Sequence, residues 1–265
     1  MDSFAALTAL DWQIELGADE AIADTPINRY EQAVKPAAGP IPKTGPTSNI
    51  KPIDIMPLIP KVEEAAEDIA RILAGRCTDL ETLRNSLATF DLCSLKKGAR
   101  NLVFADGNPA ARVMIIGDAP TREEDQNGKS FVGRTGQLLD KMFAAIDMDR
   151  AGTENGPENA IYLTNVMPWR PPQDRDPTPE EIAMMLPFLE RHIALANPDI
   201  LVPMGNIACK AILGKTGITR IRGHWTEAFG KPTLPMFHPA GVLRDPLKKR
   251  DCWTDLLALK ARLNS

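Results

Sequence analysis

An alternation of two periodicities most constrains what this chain can fold into. Short apolar runs at 112–117 (RVMIIG), 160–166 (AIYLTNV), 199–204 and 232–237 read as strands. Between and after them, apolar residues recur at helical spacing at 137–146, 179–196, 207–213 and 251–263. Strand–helix alternation implies parallel strands covered by helices on both faces. The expected fold class is therefore α/β, a three-layer αβα sandwich with a central four-stranded parallel sheet. Upstream, Val62, Ala65, Ala66, Ile69, Ile72 and Leu73 recur at helical spacing, and Thr78 or Asp79 can cap a second helix running to Ala88. Open sheets of this class bind ligands at the carboxyl ends of their strands. The residues there are Gly117-Asp118-Ala119-Pro120, Asn165-Val166-Met167-Pro168, Gly205-Asn206 and His238-Pro239-Ala240.

The alternation occupies only part of the chain. Residues 36–60 contain seven prolines (Pro36, Pro40, Pro42, Pro46, Pro52, Pro57 and Pro60), the composition of an extended linker. It separates an N-terminal helical segment, 1–35, from a domain expected at 61–265. The segment offers Phe4, Leu7, Leu10, Trp12 and Leu16 as an apolar face, for the main domain or for a partner. Charge is equally uneven. The net charge is -4, yet residues 200–265 hold eleven Lys and Arg against four acids, while 1–60 hold four against eight. The basic quarter suits a polyanion or is a solvated surface.

Other classes drop out. A hydrophobic fraction of 43% excludes wholesale disorder. No run of about 18 apolar residues marks a membrane span, and the start is acidic, unlike a secretory signal. The four cysteines (Cys77, Cys93, Cys209 and Cys252) form no CxxC pair, which argues against a zinc ribbon or a thioredoxin site. A chain this long needs no disulfide framework, so the expected compartment is the cytoplasm. Two GK[ST] tripeptides, at Gly128 and Gly214, lack the glycine a phosphate loop needs five residues earlier; Glu123 and Cys209 stand there. GxGxxG, GxSxG and HExxH are absent as well.

What remains is a constellation at the strand ends: GDAPTREEDQNGKSFVGRTGQLLD (117–140), TNVMPWRPPQDRDPTPEE (164–181), MGNIACKAILG (204–214) and HPAGVLR (238–244). In order, spacing and strand context these resemble the uracil-DNA glycosylase superfamily, and within it the bacterial and archaeal family 4 enzymes, over residues 85–265. The resemblance implies an αβα fold and hydrolysis of the bond joining uracil to deoxyribose in single- or double-stranded DNA. The products are free uracil and an abasic site, and the enzyme is expected to be a monomer.

It also implies roles. Asn165 falls on the base-reading position: an amide carries both a donor and an acceptor, and uracil presents O4 and N3–H where cytosine presents the opposite pattern. A strand-end Asn capping a turn is the plainer alternative. Phe131 falls on the residue that stacks the extruded base, and Gly117 and Ala119 belong to the loop whose backbone can cradle a base oxygen. His238 is the donor toward uracil O2, where negative charge develops. Asp118 orients water or stabilises the cationic sugar, and with His238 it makes up the expected catalytic pair. Asp125 and Gly128 shape the loop. Arg244, Arg170, Lys248 and Lys249 are the expected DNA contacts, with Arg175, Arg220 and Arg222 as extensions of the track.

Three departures from the family stand out. The family has Glu where this chain has Asp118, one methylene shorter, and Thr121 departs from its GEAPG. Family 4 enzymes bind an iron–sulfur cluster through four cysteines, and the corresponding positions here are Phe90, Cys93, Trp169 and Met185. Ligation needs thiolates, so no cluster, metal or other cofactor is expected. A relative's basic, DNA-linking insertion is also missing from GKSFVGRTG. The rival readings are a non-cleaving module that binds deaminated bases, and a glycosylase for hypoxanthine or xanthine.

Overall fold

Three five- and four-residue apolar runs lie side by side at the centre of this computed structural model, which describes residues 62–152 and 156–265. The N-terminal segment 1–35 and the linker 36–60 lie outside the described residues. In chain order the elements are α1 (Val62–Arg76), α2 (Leu80–Thr89), β1 (Asp106–Gly107), β2 (Val113–Gly117), α3 (Arg122–Asn127) and α4 (Gly133–Ala144). Then come β3 (Ile161–Asn165), α5 (Pro179–Ala196), β4 (Ile200–Pro203), α6 (Asn206–Leu213) and α7 (Ile218–Ile221). The chain ends with β5 (Thr226–Ala228), β6 (Lys231–Thr233), α8 (Pro239–Arg244) and α9 (Lys249–Leu263).

The sheet order is β1-β3-β2-β4-β6-β5. Its four middle strands are parallel, as the alternation requires, but the sheet is larger than expected: β1 and β5 add short antiparallel edges. Strands of two and three residues leave no periodicity to read. The last expected strand is also shorter. Only Lys231–Thr233 forms the ladder, and Met236 adds a single bridge to Met204.

Every residue of β2, β3 and β4 is buried, because both sheet faces are covered. Alternate residues feed opposite cores. Met114, Ile116, Tyr162 and Leu201 pack with Ala66, Ala70 and Ala74 of α1, with Met185 and Phe188 of α5, and with Ala208 of α6. Val113, Ile115, Leu163 and Val202 pack with Leu139 and Phe143 of α4 and with Leu256 and Leu259 of α9. Full burial of such a side chain contributes about 1.5–3 kcal/mol. The helix ends are signalled locally. Thr178 and Glu181 form a capping box with Pro179 at the first helical position of α5, and Asp79 caps α2. Among the described residues no helix is long and apolar enough to cross a membrane.

Candidate active site

The parallel register sets Gly117, the last residue of β2, directly beside Asn165, the last of β3. A side chain at 117 would have nowhere to go. A Cβ there would lie 2.3 Å from Asn165 Oδ1 and 2.7 Å from Phe131 Cζ. The strand end is thus a glycine because an amide and an aromatic ring press against its backbone.

Asn165 is 6% exposed, and its Nδ2 is buried with no hydrogen-bond partner. The Glu124 carboxylate lies beside the amide, close enough for a side-chain hydrogen bond from Asn165 to favour its ionised form, but outside full hydrogen-bond geometry. Buried amides are normally satisfied, and Asn165 also lines a small void with room for about one water, so its acceptor comes from outside the chain, from water or from a ligand.

Phe131 is 1% exposed and adopts a left-handed backbone with φ of 53°. Its ring stacks with that of His238, centroids 5.5 Å apart and planes 27° from parallel, which is an offset stack. His238 is the N-cap of α8, so most of the HPAGVLR segment is a short helix. The backbone N–H of Ala240 donates to His238 Nδ1 at 3.2 Å. Burial, and secondarily the Arg244 charge, pull the imidazole pKa down to about 4. The ring is therefore neutral near pH 7, and with Nδ1 accepting, the proton sits on Nε2.

Asp118 follows Gly117 and reaches the N-terminus of α6, where the Ala208 N–H donates to its Oδ1 at 2.7 Å. Gly205, at φ +106°, leaves room for it; a Cβ there would fall 2.4 Å from Asp118 Oδ2. Burial pushes the Asp118 carboxyl up to about 6 against the pull of that N–H, and Asp176 adds repulsion. Two adjoining cavities, about 280 and 440 Å³, open over this strand end. Asp118, Asp176, His238 and Arg244 line both, Ala119 lines the first and Lys248 the second. Asn165 and Phe131 line neither.

The basic residues divide. Arg244 is exposed at the cleft, bonding only weakly to Ala240 O at 3.4 Å. Lys248 lies 5.4 Å above the Phe237 ring and 3.4 Å from Asp245. Arg170 is bound to Asp174 at 2.7 Å, which raises its pKa, and Arg175 grips Glu181 with two bonds. Lys249 faces a separate apolar groove with Trp253. Arg222 is paired with the buried Asp255 and lies over Phe237. His192 is structural, 2.9 Å from Tyr162 Oη and stacked on Phe104. Asp125 and Gly128 shape the loop as expected. Asp125 accepts from the Arg100 and Asn101 amides, and Gly128 ends α3 in a left-handed turn.

The positions that carry cluster cysteines in family 4 form a packed core. Phe90, Trp169 and Met185 are buried beside Cys93, and Phe90 meets Phe188 edge-on at 5.2 Å. The neighbouring void holds about 20 Å³, room for about one water. Cys93 is the one thiol among the four positions. Among the described residues no group of three or more His, Cys, Asp or Glu is arranged to hold a metal ion. These residues do not fit a cluster.

Sequence reasoning missed three residues of the site: Glu124, Arg150 and Asp176. The Thr121–Glu124 capping box was legible and would have signalled α3. Nothing local marks Arg150 or Asp176.

Comparison with known proteins converges on the same segments. The profile of the uracil DNA glycosylase superfamily matches residues 104–257. The chain is 36% identical over 172 residues to the type-4 uracil-DNA glycosylase of Archaeoglobus fulgidus, spanning 62% of this chain and 82% of that protein. It is 36% identical over 156 residues to that of Thermotoga maritima (58% and 77%), and 33% identical over 192 residues to one from Pyrobaculum aerophilum (67% and 91%).

Proposed function

The chain belongs to the uracil DNA glycosylase superfamily, and on that premise we propose that it hydrolyses the N-glycosidic bond of uracil in DNA, releasing uracil and leaving an abasic site. The observation that carries the reading is the idle, buried Nδ2 of Asn165 beside the Phe131 ring. Uracil O4 supplies the missing acceptor, and Asn165 Oδ1 accepts from N3–H. Cytosine would set donor against donor. Gly117 lies directly beside that amide, and Ala119 borders the adjoining cleft.

Heterolysis of the C1′–N1 bond sends the bonding pair to uracil, where charge spreads to O2, and leaves cationic character on the sugar. The neutral His238, with its proton on Nε2, is a donor for O2, and its ring already stacks against Phe131, the platform for the base. Asp118 borders the cleft, where its carboxylate stabilises the sugar cation and takes the proton of the attacking water. Solvent then protonates the uracil anion. Arg244 and Lys248 at the cleft meet the phosphates, and Arg170 and Lys249 join them only if DNA displaces their present neighbours. The reading includes no iron–sulfur cluster, because the four positions hold one thiol and three packed apolar side chains. Iron analysis and a visible spectrum of anaerobically purified protein test that part.

Oligonucleotides containing uracil, hypoxanthine or xanthine, treated with the protein and then with alkali, test the activity. Breaks at uracil that vanish with Asn165→Ala support the proposal. Tight binding without breaks identifies a non-cleaving module, and breaks at hypoxanthine or xanthine alone identify a different base.

A further inference from the structure

Phe131 is held in an uncommon way. Bulky residues rarely adopt a left-handed backbone, and both polar groups of this residue are gripped by charged side chains. The Phe131 N–H donates to the buried Glu124 carboxylate, whose other oxygen accepts from the Thr121 N–H at 2.7 Å. The Phe131 carbonyl accepts from Arg150 Nη2, while Arg150 Nη1 reaches the preceding carbonyl, of Ser130, at 3.1 Å. The same guanidinium is anchored by Asp106 on the edge strand β1 and, at 2.8 Å, by Asp140 on α4. Gly136 of α4 makes room for the Phe131 carbonyl; a Cβ there would fall 1.8 Å from its oxygen.

We propose that Arg150 is a positioning residue for base stacking: its fork on two successive carbonyls, opposed by Glu124 on the amide, holds the Phe131 peptide in the left-handed geometry that sets the ring beside Gly117, Asn165 and His238. A lysine at 150 keeps the charge that Asp106 and Asp140 face but cannot bridge both carbonyls, since it lacks the planar fork. For its catalytic consequence the proposal rests on the reading of Phe131 as the stacking platform.

The test is a double-mutant cycle of Arg150→Lys with Phe131→Leu, read as single-turnover uracil excision. Arg150→Lys should slow excision about tenfold in the native background and add nothing on Phe131→Leu, because the group it positions is gone. Arg112→Lys, whose native guanidinium pairs with Asp199 at the opposite end of the sheet, should stay within about twofold of native. A second readout needs no activity. 4-Fluorophenylalanine at position 131 should give one sharp fluorine resonance in native protein, and a shifted or split one with Arg150→Lys. Additive losses, an unchanged Arg150→Lys rate, or an unchanged fluorine spectrum would each overturn the proposal. Failure of native protein to cleave uracil overturns the catalytic reading alone, and the fluorine spectrum then still decides the clamp.

Discussion

Asp118→Asn should make the protein more stable and less active at the same time. Burial raises the Asp118 carboxyl from 3.8 to about 6. Its folded-state pKa therefore lies above the unfolded one, so folding favours the protonated acid. The ionised side chain opposes folding in full above pH 6, and this opposition fades as pH falls toward 3.8. At 1.36 kcal/mol per pKa unit the penalty at pH 8 is at most about 3 kcal/mol. Asparagine removes it while keeping an oxygen for the Ala208 N–H, and its NH₂ group is wetted by the adjoining cavity. For a domain of this size, 1 kcal/mol moves Tm by about 2–4 °C. Thermal melts at pH 8 should show the variant about 6–12 °C above native, with the gap nearly closed at pH 4. In parallel, excision should fall about 10²–10⁴-fold with the loss of the carboxylate, and native excision should decline below pH 6 as Asp118 protonates. Equal Tm values at pH 8, or a gap that does not change with pH, would refute the premise that this carboxylate is held ionised against its surroundings.

Three further outcomes follow from the same geometry. His238→Ala should lower the excision rate by about 10²–10³, the usual consequence of losing one donor aimed at a developing oxyanion; because its pKa is about 4, the native pH–rate profile should show no imidazole step between pH 6 and 8. Gly117→Ala should abolish excision and destabilise the fold by about 1–3 kcal/mol in denaturant melts, since the added methyl overlaps Asn165 and Phe131. Arg222→Leu should destabilise by about 3–5 kcal/mol, because it leaves the Asp255 charge buried and unpaired, while any activity left in the folded fraction stays native-like.

How far each part could be read from the sequence follows the range of the forces involved. The strands and the long helices were legible because burial on both faces selects unbroken apolar runs and burial on one face selects a 3.6-residue stripe. Pro179–Ala196 ran to its expected bounds because Thr178, Glu181 and Pro179 define its start locally. The edges β1 and β5 were not legible; pairing with a neighbour, not their own composition, makes them strands. Helix α8 was not read from the HPAGVLR motif, although His238 at its N-cap and Pro239 at its first position are ordinary start signals.

The sequence by itself determined which side chains stand at the carboxyl ends of the parallel strands, since strand ends are punctuated locally and a parallel sheet gathers them on one edge. That placed Asp118, Asn165 and His238 within one neighbourhood. Tertiary structure alone decided what each can do there. The register puts Gly117 against Asn165 and strands the amide without a partner. Burial of the imidazole against Phe131, distant in sequence, keeps His238 neutral. Contacts between residues far apart in sequence tie Arg222 to Asp255 and recruit Arg150 behind Phe131. Those contacts depend on distances across the fold, and no local pattern of residues encodes them.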